Sequence, residues 1–473
     1  MSIILVKNVN REIPMYQINF QNPIHIYFIG IGGISMSGLA EILLTEGFRV
    51  SGSDRAPSDL TQTLTEQGAC VHYGQREENI TSDIDLIVYT AAIKPDNPEL
   101  MAARLKQIPT LTRAQLLGQM MKNYKVPIAI SGTHGKTTTT SMIAQILLEA
   151  GADPTLSIGG IYKPIGGNIR VGSSEYFVTE ACEYTNSFLS FLPKIGIILN
   201  IEEDHLDFFK DIQDIRDSFH RFALLLPKDG TLIINGDINH VEEITAGLSC
   251  RVITYGSSPS FDYSASQITY DAFGCPSFHL MRQHGKEEVF SLKVHGEHNV
   301  FNALAAIALA DTLAIPDHVT AKGLLAFDGT DRRFEYKGQR NGVRIIDDYA
   351  HHPTEIRATL NAAKEYPHKK LWCVFQPHTY TRTKAFLDEF ADALCLADEI
   401  ILADIYAARE KDTLGISSQT LQSKIRELGH SCHYFPSFEE IENFLIKNCT
   451  KDDLLITMGA GDVVKIAENL LQK

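Results

Sequence analysis

The chain has 473 residues, 44% of them hydrophobic and 21% charged, with a formal net charge of −15. At about 150 residues per domain the length predicts roughly three domains, and the composition excludes disordered and collagen-like classes. The acidic balance excludes a general nucleic-acid binder, which needs a Lys/Arg surplus, and leaves small phosphate ligands open.

The eight cysteines stand singly with no C-x-x-C pair, so neither a disulfide framework nor a zinc site is expected and a reducing compartment fits. No apolar run reaches the roughly 18 residues of a membrane helix. The N-terminus lacks a signal-peptide layout. The expectation is a cytoplasmic protein that engages neither nucleic acid nor membrane. The first residues, up to about position 20, precede any clear strand and are expected to form a flexible lead.

HIYFIG (25–30) opens an alternation of short β-branched runs with helical stretches. It continues through LIVYTA (86–91), PIAISG (127–132), YFVTE (176–180), IGIILN (195–200) and TLIING (231–236), then RIIDD (344–348), LWCVFQ (371–376), EIILAD (399–404) and DLLITMG (453–459). Continuous apolar strands between helices predict parallel sheets covered on both faces, hence an α/β class. Three α/β domains are expected, at residues 1–123, 124–330 and 331–473. Between 249 and 295 short alternating runs, beginning with RVITYG, predict antiparallel strands extending the middle domain.

The segment from His25 to Asp54 reads as strand, glycine-rich turn, helix, strand. Gly30, Gly32 and Gly33 let the backbone approach a phosphate at a helix N-terminus, and Asp54 ends the second strand where a dinucleotide fold places its ribose-binding acid. The spacing is not G-x-G-x-x-G, because Ser35 stands in the third glycine position. A nucleotide or phosphate ligand is indicated, and an NAD(P)-dependent oxidoreductase stays open at this point.

The second glycine-rich turn is more specific. The strand PIAIS runs into Gly132-Thr133-His134-Gly135-Lys136-Thr137-Thr138 and then a helix. Backbone N–H groups of such a loop cradle phosphates, Lys136 reaches the β- and γ-phosphates, and the Thr137 hydroxyl suits Mg²⁺. The loop is shorter than the usual G-x-x-x-x-G-K, since Ile130 occupies the first glycine position. Glu180 ends a later strand, Glu183 follows it, and NIEEDHLD (200–207) follows another. Carboxylates and an imidazole at such strand ends become metal-ligand candidates beside a phosphate loop.

Taken together, GTHGKTTTT (132–140), Glu180, NIEEDHLD, GEHNVFNALAA (296–306), Arg332-Arg333 and DDYAHHPTE (347–355) resemble the Mur ligases, ATP-dependent amide-forming enzymes of peptidoglycan precursor synthesis. GIGGISMSGLA (30–40) and FQPHTYTRT (375–383) narrow the resemblance to the step that adds L-alanine to UDP-N-acetylmuramate. The resemblance implies three domains: a Rossmann-like UDP-sugar domain, a central P-loop ATPase-type domain with extra antiparallel strands, and a Rossmann-like domain on the amino-acid side. It implies ATP and Mg²⁺ as cofactors, small-molecule substrates, and a monomer or weak homodimer.

By resemblance, Lys136 stabilises the transferring phosphoryl group, Thr137 and Glu180 ligate one Mg²⁺, and His205 holds a second. Asn299 and Asn302 face the adenine, and Arg333 and Asp348 contact the ATP phosphates and ribose. Tyr349, His351 and Arg382 form the L-alanine end, with His351 deprotonating or orienting the amine and Arg382 pairing its carboxylate. Gly30, Gly32, Gly33, Asp54, Thr90 and Ala91 hold the UDP part. Plainer readings compete. Asn299 and Asn302 suit a helix start, Arg332 suits a surface pair with Asp331, and His352 and His378 suit packing or capping. Thr379 stands where some relatives carry arginine and Cys182 where an aspartate is common. His220 stands where sister ligases carry a carbamylated lysine, so no carbamate is expected. A ligase that attaches a ready-made tripeptide in wall recycling is the alternative within the family.

Overall fold

The computed structural model describes residues 17–90, 92–283, 287–408 and 410–472. Ala91 therefore lies outside the described residues, as do residues 1–16 of the expected lead. Residues 17–20 are tied down, contrary to that expectation. Ile18 is buried, its carbonyl and the Phe20 N–H bond the Asn123 amide, and the Phe20 ring packs edge-on against Phe48 and Tyr124.

Among the described residues the strands form three sheets. The first comprises β1 (His25–Ile29), β2 (Arg49–Asp54), β3 (Cys70–Tyr73), β4 (Leu86–Tyr89) and β5 (Thr110–Thr112), all parallel, in the order β3-β2-β1-β4-β5. β1 is buried along its whole length, which is why its sequence is a continuous apolar run. The order reverses between β1 and β4, so Gly30 and Thr90 follow the carboxyl ends of the two strands that flank the switch point. Beneath them a fully buried Glu99 carboxylate accepts from the Tyr27 hydroxyl, the Ser53 hydroxyl and the Asn79 amide.

The second sheet comprises β6 (Val126–Ser131), β7 (Thr155–Tyr162), β8 (Gly167–Arg170), β9 (Tyr176–Ala181), β10 (Ile195–Ile198), β11 (Thr231–Asn235), β12 (Arg251–Gly256), β13 (Tyr263–Tyr270), β14 (Pro276–Arg282) and β15 (Glu288–Ser291). Its order is β15-β14-β13-β12-β11-β10-β6-β9-β7-β8. The parallel core β12-β11-β10-β6-β9-β7 packs against the helices Lys136–Glu149 and His298–Thr312. The antiparallel extension is β13-β14-β15, with β8 antiparallel on the opposite edge. RVITYG, expected to begin the antiparallel set, instead pairs in parallel with β11. The short helix Val241–Thr245 lies in the crossover between them.

The third sheet comprises β16 (Glu335–Arg340), β17 (Val343–Asp348), β18 (Leu371–Phe375), β19 (Glu399–Leu402), β20 (Cys432–Tyr434) and β21 (Leu454–Met458), in the order β16-β17-β21-β18-β19-β20. Only β16 runs antiparallel. Apolar cores cover both of its faces. By compactness the chain divides after Tyr124. Ser190–Leu192 goes with the first sheet, and the second and third sheets share one unit.

Candidate functional site

In the first unit, Gly30 adopts a φ of 83° and its N–H bonds the Ser53 carbonyl. The Asp54 carboxylate accepts the Gly32 N–H at 2.8 Å and the Arg55 N–H at 2.7 Å, so it braces the glycine turn from the end of β2. A Cβ on Gly32 would sit 2.7 Å from Thr61 and 2.8 Å from Asp54, which is why this position is bare. Gly33 stands at the N-cap of the helix Ile34–Thr45 and Thr90 follows β4.

In the second unit, β6 ends at Ser131 and the loop turns through Gly132 (φ 146°) and Gly135 (φ 82°) into the helix Lys136–Glu149. Both glycines are required. A Cβ on Gly132 would lie 2.9 Å from Leu199, and one on Gly135 would lie 2.7 Å from the Asn302 amide oxygen. Asn200 holds the loop, accepting the His134 N–H at 2.7 Å and donating back to its carbonyl at 3.1 Å. Thr133 accepts the Glu202 N–H at 3.0 Å.

The Lys136 ammonium bonds the Gly132 and Thr133 carbonyls and pairs with Glu183 at 3.0 Å. Burial opposes that charge, but Glu183 and its neighbours outweigh it and raise the lysine's pKa. Glu183, whose role the sequence left open, is thus the buried counter-ion of Lys136. The Thr137 hydroxyl donates to Glu180 at 3.1 Å, and Glu180 also accepts the Gly159 N–H. Burial raises the Glu180 pKa, which a cation beside it would relieve. The His205 ring stacks on Tyr184 at 4.5 Å, with Nε2 3.9 Å from Glu183 and 3.8 Å from Asp204. The Thr137 hydroxyl and the Glu180 carboxylate are oxygen donors of the kind Mg²⁺ takes when substrate phosphates complete its shell, so these residues fit that ion.

Asn299, Asn302, Gly135, Thr138, Arg333 and Asp348 line one cavity of about 500 Å³. The two asparagines are not helix caps. Asn302 donates to Asn299 at 2.9 Å, and Asn299 donates to the His295 carbonyl at 2.7 Å. Asp348 accepts the Phe334 and Ala350 N–H groups, both at 2.7 Å, and burial pushes its carboxyl up to about 6 despite Arg333. The Arg333 guanidinium lies 5.1 Å over the Tyr349 ring, with Arg332 at 4.9 Å over the same ring. Arg332 is no surface partner of Asp331. It pairs with the fully buried Asp347 at 3.0 Å and donates to the Gly459 and Gly461 carbonyls, fastening the ends of the third sheet.

In the same unit the structure brings Tyr349, His351, His378 and Arg382 into a row. Ring centroids are 5.5 and 5.7 Å apart, and Arg382 lies 3.1 Å from His378 Nδ1. His378, read as packing or capping, joins this row, and its ring also stacks on Tyr406. Arg382 makes two bonds to Asp204, at 2.7 and 3.1 Å. Burial alone would raise Asp204, but Arg382 and His205 hold its carboxyl well below the usual range. Nε and Nη2 of the guanidinium thus face Asp204 and Nη1 faces His378. Asp204, His205, His378, Thr379 and Arg382 line a second cavity of about 430 Å³. Thr379 takes φ 64°, ψ 147° at its rim, a conformation rare outside glycine.

His134, Glu202 and His352 lie close enough together to hold a cation. Burial disfavours charge on His134, yet Glu355 and Glu202 outweigh it and raise its pKa to about 9. His352 spends both ring nitrogens, accepting the Thr354 N–H as a helix cap and bonding the Glu203 carbonyl. His220, at the position where a carbamate was not expected, bonds the Ile244 carbonyl.

A phosphate loop, acidic strand ends and two further α/β sheets are the layout of an ATP-dependent ligase, and the family comparison agrees. The Mur ligase family catalytic domain matches residues 25–125, the Mur ligase middle domain residues 130–310, and the Mur ligase glutamate ligase domain residues 332–461. The chain belongs to the Mur ligase family.

Among its relatives, the UDP-N-acetylmuramate–L-alanine ligase of Agathobacter rectalis is 61% identical over 459 residues, covering 97% of this chain and all of that protein. The enzyme of the same name from Clostridium botulinum strain Langeland is 53% identical, covering 94% and 96%. The crystal structure of UDP-N-acetylmuramate-alanine ligase MurC from Thermotoga maritima superposes with a TM-score of 0.78 at 28% identity, over 95% of this chain and 98% of that one. A murein peptide ligase from Psychrobacter arcticus superposes at 0.70 and 26%, over 95% and 98%.

Proposed function

We propose that the protein joins L-alanine to the lactyl carboxylate of UDP-N-acetylmuramate at the expense of ATP, a cytoplasmic step of peptidoglycan precursor synthesis. High identity over nearly the whole length to ligases of that name supports the reading. The structural observation that carries it is the meeting, in one unit, of the Lys136–Glu183 phosphate loop with the row Tyr349, His351, His378 and Arg382.

A carboxylate cannot be attacked by an amine directly, because its leaving group would be oxide. Phosphorylation by ATP gives an acyl phosphate, and the amine then displaces phosphate through a tetrahedral adduct. Phosphoryl transfer asks the protein for positioning and charge neutralisation. Lys136 supplies both, held toward the loop by Glu183 and two carbonyls. Thr137 and Glu180 would hold one Mg²⁺ and His205 a second, and the metal supplies charge neutralisation at the phosphates. The cavity lined by Asn299, Asn302, Arg333 and Asp348 takes the nucleotide. Gly30, Gly32, Gly33, Asp54 and Thr90 take the UDP group at the switch point of the first sheet. Domains bounded at 1–123, 124–330 and 331–473, acting as a monomer or weak homodimer, complete the proposal.

The test is phosphate release from ATP with Mg²⁺ and UDP-N-acetylmuramate, with nucleophiles supplied one at a time. L-alanine-dependent release with the matching product mass is expected. Release only with a murein tripeptide would transfer the assignment to the recycling ligase, and silence with both would refute it.

A further inference from the structure

Glu355 stands at the third position of the helix Pro353–Glu365, directly after the cap His352. Its carboxylate does more than serve the helix end. Oε1 lies 3.1 Å from His134 Nδ1 on the phosphate loop. Oε2 accepts the His351 N–H at 3.0 Å and lies 3.2 Å from His351 Nδ1. One half-buried carboxylate thus spans the ATP loop of the second sheet and the amino-acid row of the third. Burial alone would raise its pKa, but the two histidines outweigh it and hold it well below the usual value, so it stays an anion.

The second contact fixes a tautomer. His351 Nδ1 faces the Tyr349 carbonyl at 3.0 Å and the Glu355 carboxylate at 3.2 Å. Both neighbours only accept, so Nδ1 carries the proton and the lone pair of the neutral ring sits on Nε2. That nitrogen is then the one able to take a proton from an incoming ammonium.

We propose that Glu355 is a positioning residue for aminolysis: it holds His351 as the Nε2 base and ties that base to the phosphate loop through His134. The proposal rests on the reading of His351 as the alanine-side base. In the step concerned, Nε2 takes one proton from the alanine ammonium and the freed lone pair forms the C–N bond. The acyl C–O bond to phosphate then breaks with its electron pair on the departing phosphate, which takes the second amine proton.

The test uses Glu355→Gln in the full chain with ATP, Mg²⁺ and UDP-N-acetylmuramate, comparing L-alanine with hydroxylamine. Alanine reaches the site as an ammonium and needs a base, whereas hydroxylamine is already unprotonated at neutral pH and traps acyl phosphate as a hydroxamate. A loss of about 10²-fold in turnover with alanine is expected, the scale of a mispositioned general base. Hydroxamate formation falls by at least about tenfold less than alanine turnover, because it does not use this base and feels Glu355 only through His134 of the phosphate loop. Equal loss with both nucleophiles, or no loss with either, overturns the proposal. If Glu355→Gln does not accumulate as folded protein, Glu355→Asp is read by the same ratio. His351→Ala separates the two layers. Alanine turnover surviving in His351→Ala refutes the alanine-side reading, whereas its loss there without a selective effect in Glu355→Gln refutes the role of Glu355 alone.

Discussion

Gly159→Ala isolates the geometry of the candidate metal site from the stability of the fold. Gly159 is exposed in β7 and its backbone does not need positive φ, so alanine is tolerated locally. The added Cβ would lie 2.6 Å from one Glu180 carboxylate oxygen and 2.8 Å from the other, where ordinary contact begins at 3.4 Å. The carboxylate must retreat by about 0.8 Å, the difference between 3.4 and 2.6. Glu180 is half-buried and pinned by the Thr137 hydroxyl and the Gly159 N–H, so it cannot retreat and keep both bonds. A displacement approaching 1 Å at a reacting centre costs up to about 10²-fold, or roughly 2.7 kcal/mol of barrier. Turnover is expected to fall about 10- to 100-fold, with a raised Mg²⁺ requirement and a melting temperature within a few degrees of wild type. The assay is initial-rate phosphate release across an Mg²⁺ titration, paired with thermal unfolding. Wild-type turnover with an unchanged Mg²⁺ dependence would refute the placement of Glu180 at the metal.

Lys136→Ala removes the charge proposed to face the transferring phosphoryl group and takes the lysine partner from the buried Glu183. A fall in turnover of about 10²–10³-fold is expected, with UDP-sugar binding by calorimetry intact, and near-normal turnover would sink the assignment. His134 carries a folded-state pKa of about 9 against an ordinary 6.5, raised by Glu355 and Glu202 against the pull of burial. Its stabilisation is therefore complete below about pH 6.5 and lost as pH rises through 9, amounting to about 3 kcal/mol. Melting curves from pH 6 to 10 should show the wild-type advantage over His134→Gln vanish above 9, and a pH-independent difference would contradict the ion pairs. Glu99→Ala leaves the Tyr27, Ser53 and Asn79 donors without their acceptor and is expected to cost about 2–4 kcal/mol in urea unfolding. A loss below about 1 kcal/mol would mean that water replaces the carboxylate.

Local signals in the sequence carried much of this. The phosphate loop was legible because its glycines, Lys136 and Thr137 are contiguous and follow a buried strand, so one short segment holds both geometry and chemistry. The three-sheet α/β class was legible in the apolar runs of strands such as β1 and β21, which are buried on both faces. What was not legible depends on contacts distant in the chain. His134 and Glu355 are 221 positions apart and Arg382 and Asp204 are 178 apart, and no periodicity marks either pair. Glu183 was ambiguous because exposed and buried glutamates look alike until the lysine is placed beside it. The parallel pairing of RVITYG was missed because alternation reports which faces are buried, not the direction of the neighbouring strand.

The third sheet also dictates an order of events during synthesis. β21 occupies its middle, hydrogen-bonded to β17 on one side and β18 on the other, yet it follows both in the chain, after β19 and β20. Its two partners are therefore synthesised before it and must wait with unpaired edges until the strand between them is delivered. The first two sheets are built from strands completed long before that point. Completion of β21, not emergence of β17 or β18, times the closure of this sheet. A substitution that weakened this one late strand would unseat both of its neighbours.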